Sequence, residues 1–172
     1  MAFKIAFACL ITVIATCAVG SGFLRAAASP LTNKDFILDV TEAGQWKPTD
    51  AQAAEAKAAL LSYLSSEDHP ATSPPEKYFE SMRPGIQARI GSYSLQYFGG
   101  FYNWQNGGWD PSGDKEILIN ALCDSFVSHE HVNLSKELQS VQDGGPCFFQ
   151  AGYSLSQHTI VHFSVNGPPR AP

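Results

Sequence analysis

The sequence predicts an α+β domain in which one main N-terminal helix packs on a four-stranded antiparallel sheet. Three observations lead there. Residues 49–65 are alanine-rich and carry both a helix start signal and helically spaced apolar residues. Four later segments, 86–98, 115–127, 146–154 and 159–165, place apolar residues at alternate positions, the period of a strand. Glycine and proline clusters separate them, and no internal repeat is visible.

The chain has 172 residues, room for one domain and a targeting segment. Residues 3–24 are almost continuously apolar. Lys4 supplies a positive start, 5–19 has the length of a signal core, and Ala26-Ala27-Ala28 fits the small-residue cleavage rule. The same run, 5–24, is also long enough to remain as a membrane anchor. A lipoprotein signal is a third reading, weakened by Thr16 ahead of Cys17. Residues 1–28 are thus a signal peptide or an anchor, and each reading sends the rest out of the cytoplasm, whether periplasmic, secreted or held at the membrane.

Apolar residues make up 44% of the chain, enough for a core, which excludes a disordered polypeptide. The formal charge is −5. Residues 1–28 hold Lys4 and Arg25 and no acid, so nine bases face sixteen acids in the remainder. That balance argues against nucleic acid as a partner, and leaves the membrane as one only through an uncleaved N-terminal segment. Of the four cysteines, Cys9 and Cys17 lie in the targeting segment. Cys123 and Cys147 remain, and in an oxidising compartment a disulfide is the default for such a pair. Two buried thiols are the alternative; metal binding is disfavoured because no CxxC spacing exists.

Residues 29–48 read as irregular, with a short strand around 36–40. The single domain then runs over 49–167. Thr49 is a good N-cap, Gln52 completes a capping box, and Asp50 complements the helix dipole. Ala54, Ala58, Leu61 and Leu64 form the expected apolar stripe, flanked by Ala51 and Leu60. Small alanines on that stripe suit close packing on a sheet. Prolines 70, 74 and 75 make 65–75 a linker, and a short helix over 75–82 should end at Pro84-Gly85. In the four strands, the odd positions Tyr93, Leu95, Tyr97, Ile117, Ile119, Ala121, Cys123, Cys147, Phe149, Ala151, Tyr153, Thr159, Val161, Phe163 and Val165 should share one face and cover the helix. The other face mixes Leu118, Leu122, Phe126, Phe148 and Ile160 with Asn120, Asp124, Gln150, His158 and His162. One helix cannot cover both faces, so the second is covered by the N-terminal segment or used against a partner. Asn166-Gly167 ends the last strand, and 168–172 is a flexible tail.

One helix followed by four antiparallel strands resembles the cystatin-like, or nuclear-transport-factor-like, architecture. Four pieces resemble, more narrowly, a widespread group of bacterial exported proteins: YSLQYFG at 93–99, ILINALC at 117–123, DGGPCFF at 143–149 and the closing Val165-Asn166-Gly167. The resemblance covers roughly the last half of the chain. It implies the fold, the cysteine pair and export; the group carries no assigned activity, so it implies no catalytic residue.

No catalytic constellation is apparent. Asp143-Gly144-Gly145 is best read as turn chemistry ended by Pro146. His129 and His131 could bind zinc together with His158 and His162, but nothing brings the two pairs together, and exposed histidines are the simpler reading. Asp110, Ser112 and Asp114 begin like a calcium loop, yet Gly113 is displaced and the closing Glu is absent. Ser92 and Ser94 lack a nucleophile elbow, and an Asp124–His158 acid–base pair is only one of many cross-strand possibilities. No cofactor is expected. The candidate recognition element is 99–114, where Phe101, Tyr102, Trp104 and Trp109 sit on a glycine-rich segment; such aromatics either grip a protein or saccharide or fold back on the sheet. The function expected is a non-enzymatic binding or protein-interaction module outside the cytoplasm. The alternative is a small-ligand or hydrolytic pocket between helix and sheet.

Overall fold

The computed structural model describes residues 28–39, 45–66, 76–103, 108–109, 113–141 and 144–167. Residues 1–27 and 67–75, Trp104, Asp110, Ser112, Asp143 and residues 168–172 lie outside the described residues. In chain order the elements are β1 (Asp35–Ile37), α1 (Asp50–Ser65), α2 (Glu76–Ala88), β2 (Tyr93–Asn103), β3 (Gly108–Trp109), β4 (Asp114–Cys123), α3 (Asp124–Glu130), β5 (Phe148–Ser154) and β6 (Thr159–Val165). The sheet runs β1-β2-β4-β5-β6, with β3 paired to the far end of β2. β1 lies parallel to β2 and the other pairings are antiparallel.

The α+β class is as expected, but the detail is not four antiparallel strands under a single main helix. The sheet is mixed because the N-terminal segment enters it: β1 pairs Asp35 with Leu95 and Ile37 with Tyr97. α1 starts as read. Thr49 Oγ1 accepts from the Gln52 N–H, and the Gln52 side chain accepts from the Thr49 N–H at 2.9 Å.

The buried side of α1 is Ala53, Ala56, Ala58, Leu60, Tyr63 and Leu64, rotated from the expected stripe; Ala51 is exposed, and Ala54 and Leu61 are only half-buried. The reason is Tyr63, whose ring stacks on Phe163 at 5.4 Å and draws its side of the helix inward. Alanine-rich helices have nearly isotropic hydrophobicity, so one aromatic outweighs the stripe.

α2 does not stop at Pro84-Gly85 but runs to Ala88. Pro84 removes one internal bond. Tertiary contacts offset that loss: Ile86 is fully buried, and Arg83 Nη1 donates to the carbonyls of Leu64 and Ser66 at the end of α1. That places a cation on the negative end of a neighbouring helix. Consequently β2 begins at Tyr93 rather than near 86, and it ends at Asn103. β4 ends at Cys123 for a related reason. Cys123 pairs with Tyr93, the first residue of β2, so 124–127 have no ladder to join and begin α3 instead. The odd-numbered face holds in β2, β4 and β5, but Cys147, expected on it with Cys123, lies in the turn ahead of β5 and packs on the outer cluster of Leu122, Leu134 and Phe148. In β6 the register shifts at Gly152/Tyr153: Tyr153 pairs with Ile160, Gly152 with His162, and Val161 is the extra residue. The bulge turns Ile160 rather than Thr159 into the core, while Phe163 keeps its inward position.

The core is an aromatic chain. Tyr63 meets Phe163, Phe163 stacks on Phe149 at 5.1 Å, and Phe149 meets Tyr93 edge-on at 5.2 Å. The Cys123–Cys147 disulfide forms, with 5.0 Å between Cα atoms. It joins the end of β4 to the short 3-10 turn Gly145–Cys147 that leads into β5. Gly145 has φ 56°, the left-handed conformation glycine adopts without penalty. Intact mass without reductant should show no free thiol at Cys123 or Cys147, and reduction should destabilise the domain by roughly 3 kcal/mol in urea unfolding, the loop-closure contribution of a crosslink of this span.

Candidate functional site

The inner face carries three tyrosines whose hydroxyls need partners. Tyr93, Tyr97 and Tyr153 are all nearly fully buried. Tyr93 donates to the Pro146 carbonyl. Tyr97 donates to Asp35 Oδ1 at 2.7 Å. The hydroxyl of Tyr153 lies 3.2 Å from His158 Nδ1. Asp35 is the hub of this set: its carboxylate, 1% exposed, also accepts from Lys57 Nζ at 2.7 Å and from the Thr32 N–H and hydroxyl. Burial pushes the Asp35 carboxyl up, but hydrogen bonds from Lys57, Tyr97 and Thr32 outweigh it and hold the group below its ordinary value. Burial, with the Asp35 charge beside it, drives the Tyr97 phenol far up, so it stays protonated. On the opposite flank of α1, His158 Nδ1 sits 3.1 Å from Glu55 Oε1. His158 has φ 54°, an uncommon conformation for a side-chain-bearing residue. Two contacts, the ion pair of Lys57 with Asp35 of β1 and the contact of Glu55 with His158 in the β5–β6 turn, therefore clamp α1 from both sides.

These contacts fill the space between helix and sheet. Tyr97, Tyr153, Phe149 and Phe163 are among the largest fully buried side chains. A pocket lined by the tyrosines and a carboxylate would suit the alternative reading; here Tyr97 and the Asp35 carboxylate bond each other, Tyr93 bonds the Pro146 carbonyl and Tyr153 lies against His158.

The outer face is largely closed by the chain itself. Leu38 packs on Phe98 and Leu118, and Leu134 packs on Leu122 and Phe148. Between these clusters runs a row of amides in register: Gln96 pairs with Asn120, and Asn120 with Gln150. Asn120 Nδ2 donates to Gln96 Oε1 at 3.0 Å, and Gln150 Nε2 to Asn120 Oδ1 at 3.3 Å. The polar residues that suggested an unpartnered face are mostly bonded within the protein. Beside them a groove of about 350 Å³ is lined by Phe36, Val127, His131 and Leu134.

The aromatic segment is not one long loop. β2 continues through Gly99, Gly100, Phe101 and Tyr102, and turns back at β3 with Tyr102 opposite Trp109. Phe101 is half-buried and pairs with Lys115. Trp104 lies outside the described residues. At the base of this hairpin Trp46 bridges Gly99 through two backbone hydrogen bonds of 3.0 and 2.8 Å. A Cβ at Gly99 would lie 2.1 Å from the indole, so only glycine lets Trp46 approach. Lys115 Nζ covers that ring at 4.5 Å. The Trp46 Nε1 is buried with no hydrogen-bond partner among the described residues.

The other candidates separate. Asp124, after the last residue of β4, is held by Lys34 and Ser94, whereas His158 follows Ser154, which pairs near the first residue of β4. They occupy opposite ends of the sheet. Among the described residues no three metal-ligating side chains converge. Sequence reasoning missed Trp46, Lys57, Glu55 and Asp35. Of these only Trp46 had a usable signal, as a lone tryptophan just ahead of a helix cap. No family model, no curated protein and no solved structure matches this chain.

His162, on β6, gives a pH test of the packing. Burial pushes its imidazole down to about 4. The unfolded chain then takes up this proton first, so stability is full above about pH 6.5 and falls as pH drops toward 4. The loss should be about 2 kcal/mol between pH 7.5 and 4.5, read from urea midpoints, and His162→Gln should remove most of it. Asp35 acts in a separate, lower window, below its ordinary 3.8.

Proposed function

We propose that this is a cystatin-like domain working outside the cytoplasm as a non-enzymatic binding module, with the hairpin end of the sheet as its recognition surface. The register of the β2–β3 hairpin beside Trp46 and Lys115 carries the reading. It brings Phe101, Tyr102 and Trp109 to one end of the ladder. Aromatic faces of this kind stack on saccharides or fill pockets on a protein, and they lose little conformational entropy when they do. The Cys123–Cys147 bridge suits an oxidising compartment. Among the described residues no helix is long and apolar enough to cross a membrane. The filled interior weighs against an enzyme or small-ligand pocket between helix and sheet.

The test is retention of partners from native extracts and on a saccharide array by the disulfide-bonded domain. Trp109→Ala and Phe101→Ala should each weaken retention at least about tenfold, the loss typical of a central aromatic contact, with unfolding midpoints little changed. If instead these changes lower stability and leave retention intact, the aromatics are packing residues and the proposal fails.

A further inference from the structure

The connection from His131 to Val141 lies on the outer face of the sheet without joining it. Among the described residues its backbone-to-backbone bonds are local, from the Lys136 and Glu137 N–H groups to the Asn133 carbonyl. Side chains of the strands and of the segment after β6 hold it down. Gln96 Nε2 donates to the carbonyls of Leu134 at 2.9 Å and Glu137 at 2.7 Å. Asn120 Nδ2 donates to the Gln139 carbonyl at 2.8 Å, and Asn166 Nδ2 to that of Val141. In return Gln96 Oε1 accepts from the Gln139 N–H at 3.1 Å. Leu134 is the one buried side chain in the stretch, and Leu138 is 40% exposed.

The two ends differ from the middle. His131 has φ 53° and ψ 34°, a left-handed residue at the junction with α3. A groove beside the first of these ends is lined by Phe36, Val127, His131 and Leu134. Outside both ends, Cys123 and Cys147 are joined covalently.

We propose that residues 131–141 are a latch that opens as a unit, hinged at His131, while the sheet beneath stays paired. Opening exchanges each amide's protein partner for water, so it leaves no polar group unsatisfied. It withdraws from its cluster one buried apolar side chain, Leu134, and two partly buried ones, Val132 and Val141. A segment with so few buried contacts belongs to the low-stability end of a protein's opening events. The bridge keeps the end of β4 beside the start of β5, so the opening does not spread into the ladder. Opening uncovers Gln96, Asn120, Leu122 and Phe148, and the latch thereby controls access to the outer face.

Hydrogen exchange on the intact, disulfide-bonded protein tests this. The Gln139 N–H and the side-chain amide protons of Gln96 and Asn120 report the latch; the Ile119 and Ala151 N–H groups report the ladder. The reporters of the latch should exchange at least about 100-fold faster than those of the ladder, with rates nearly independent of low urea. Ile117→Val, on the inner face, should speed the ladder reporters about fivefold and leave the latch reporters unchanged, because the open latch keeps that core intact. Equal rates for latch and ladder in the unaltered protein, or equal acceleration of both by Ile117→Val, would overturn the proposal.

Discussion

The ten-residue antiparallel ladder between β2 and β4, from Tyr93 opposite Cys123 to Tyr102 opposite Asp114, is the constraint that organises the domain. Strand side chains alternate, so this register assigns each residue to a face. A slip of one residue would bring the amides of Asn120 and Gln96 to opposite faces and break the row that both belong to. It would also take Cys123 out of reach of Cys147. The same ladder ends at Tyr93, which ends β4, which starts α3. The placement of the helix, the disulfide and the hairpin all follow from one pairing.

Both faces are then closed by different chemistry. The inner face is closed by volume: Tyr63, Phe163, Phe149 and Tyr93 meet in sequence, and α1 is set over them. The outer face is closed partly by hydrogen bonds, because its central row is Gln96, Asn120 and Gln150 rather than apolar. Neutral amides suit that task. Each has both donors and an acceptor, so it can bond its neighbour in the row and an approaching backbone at once. Charged side chains there would carry a larger desolvation penalty.

Much of this was legible in the sequence, and the limits have physical causes. The Thr49–Gln52 cap, the odd-numbered inner positions of three strands, the bounds of β6 and the cysteine pair depend on local spacing, which the sequence displays. The rotation of α1 depends on Tyr63 finding Phe163 far along the chain. The continuation of α2 past Pro84 depends on Arg83 finding α1. β1 depends on Asp35 being held by Lys57 and Tyr97. Each is a tertiary contact overriding a local preference. The outer face shows this most sharply. Asn120 and Gln150 were visible as polar residues on it, but their partners, backbone groups in 134–139 and each other, become visible only once the strands are in register. At the hairpin, the segment containing Phe101 and Tyr102 reads as a loop because Gly99 and Gly100 weaken its strand signal, yet Gly99 is there to admit Trp46.

The distribution of satisfied polar groups bears on where a partner would be met. Inside the domain, the Tyr93, Tyr97 and Tyr153 hydroxyls and the Asp35 carboxylate each have a partner close by. Admitting a ligand among them means breaking charged hydrogen bonds and leaving Lys57 or Asp35 uncompensated, an expensive step in a buried setting. At the hairpin end the situation is reversed. The Trp46 Nε1 has donating capacity unused among the described residues, and Lys115 is set over an aromatic face rather than beside a carboxylate. A partner arriving there displaces little and meets a cation and aromatic surface together. The proposed recognition surface is therefore placed where the fold has left its interactions incomplete, and the interior is disfavoured because its interactions are already made.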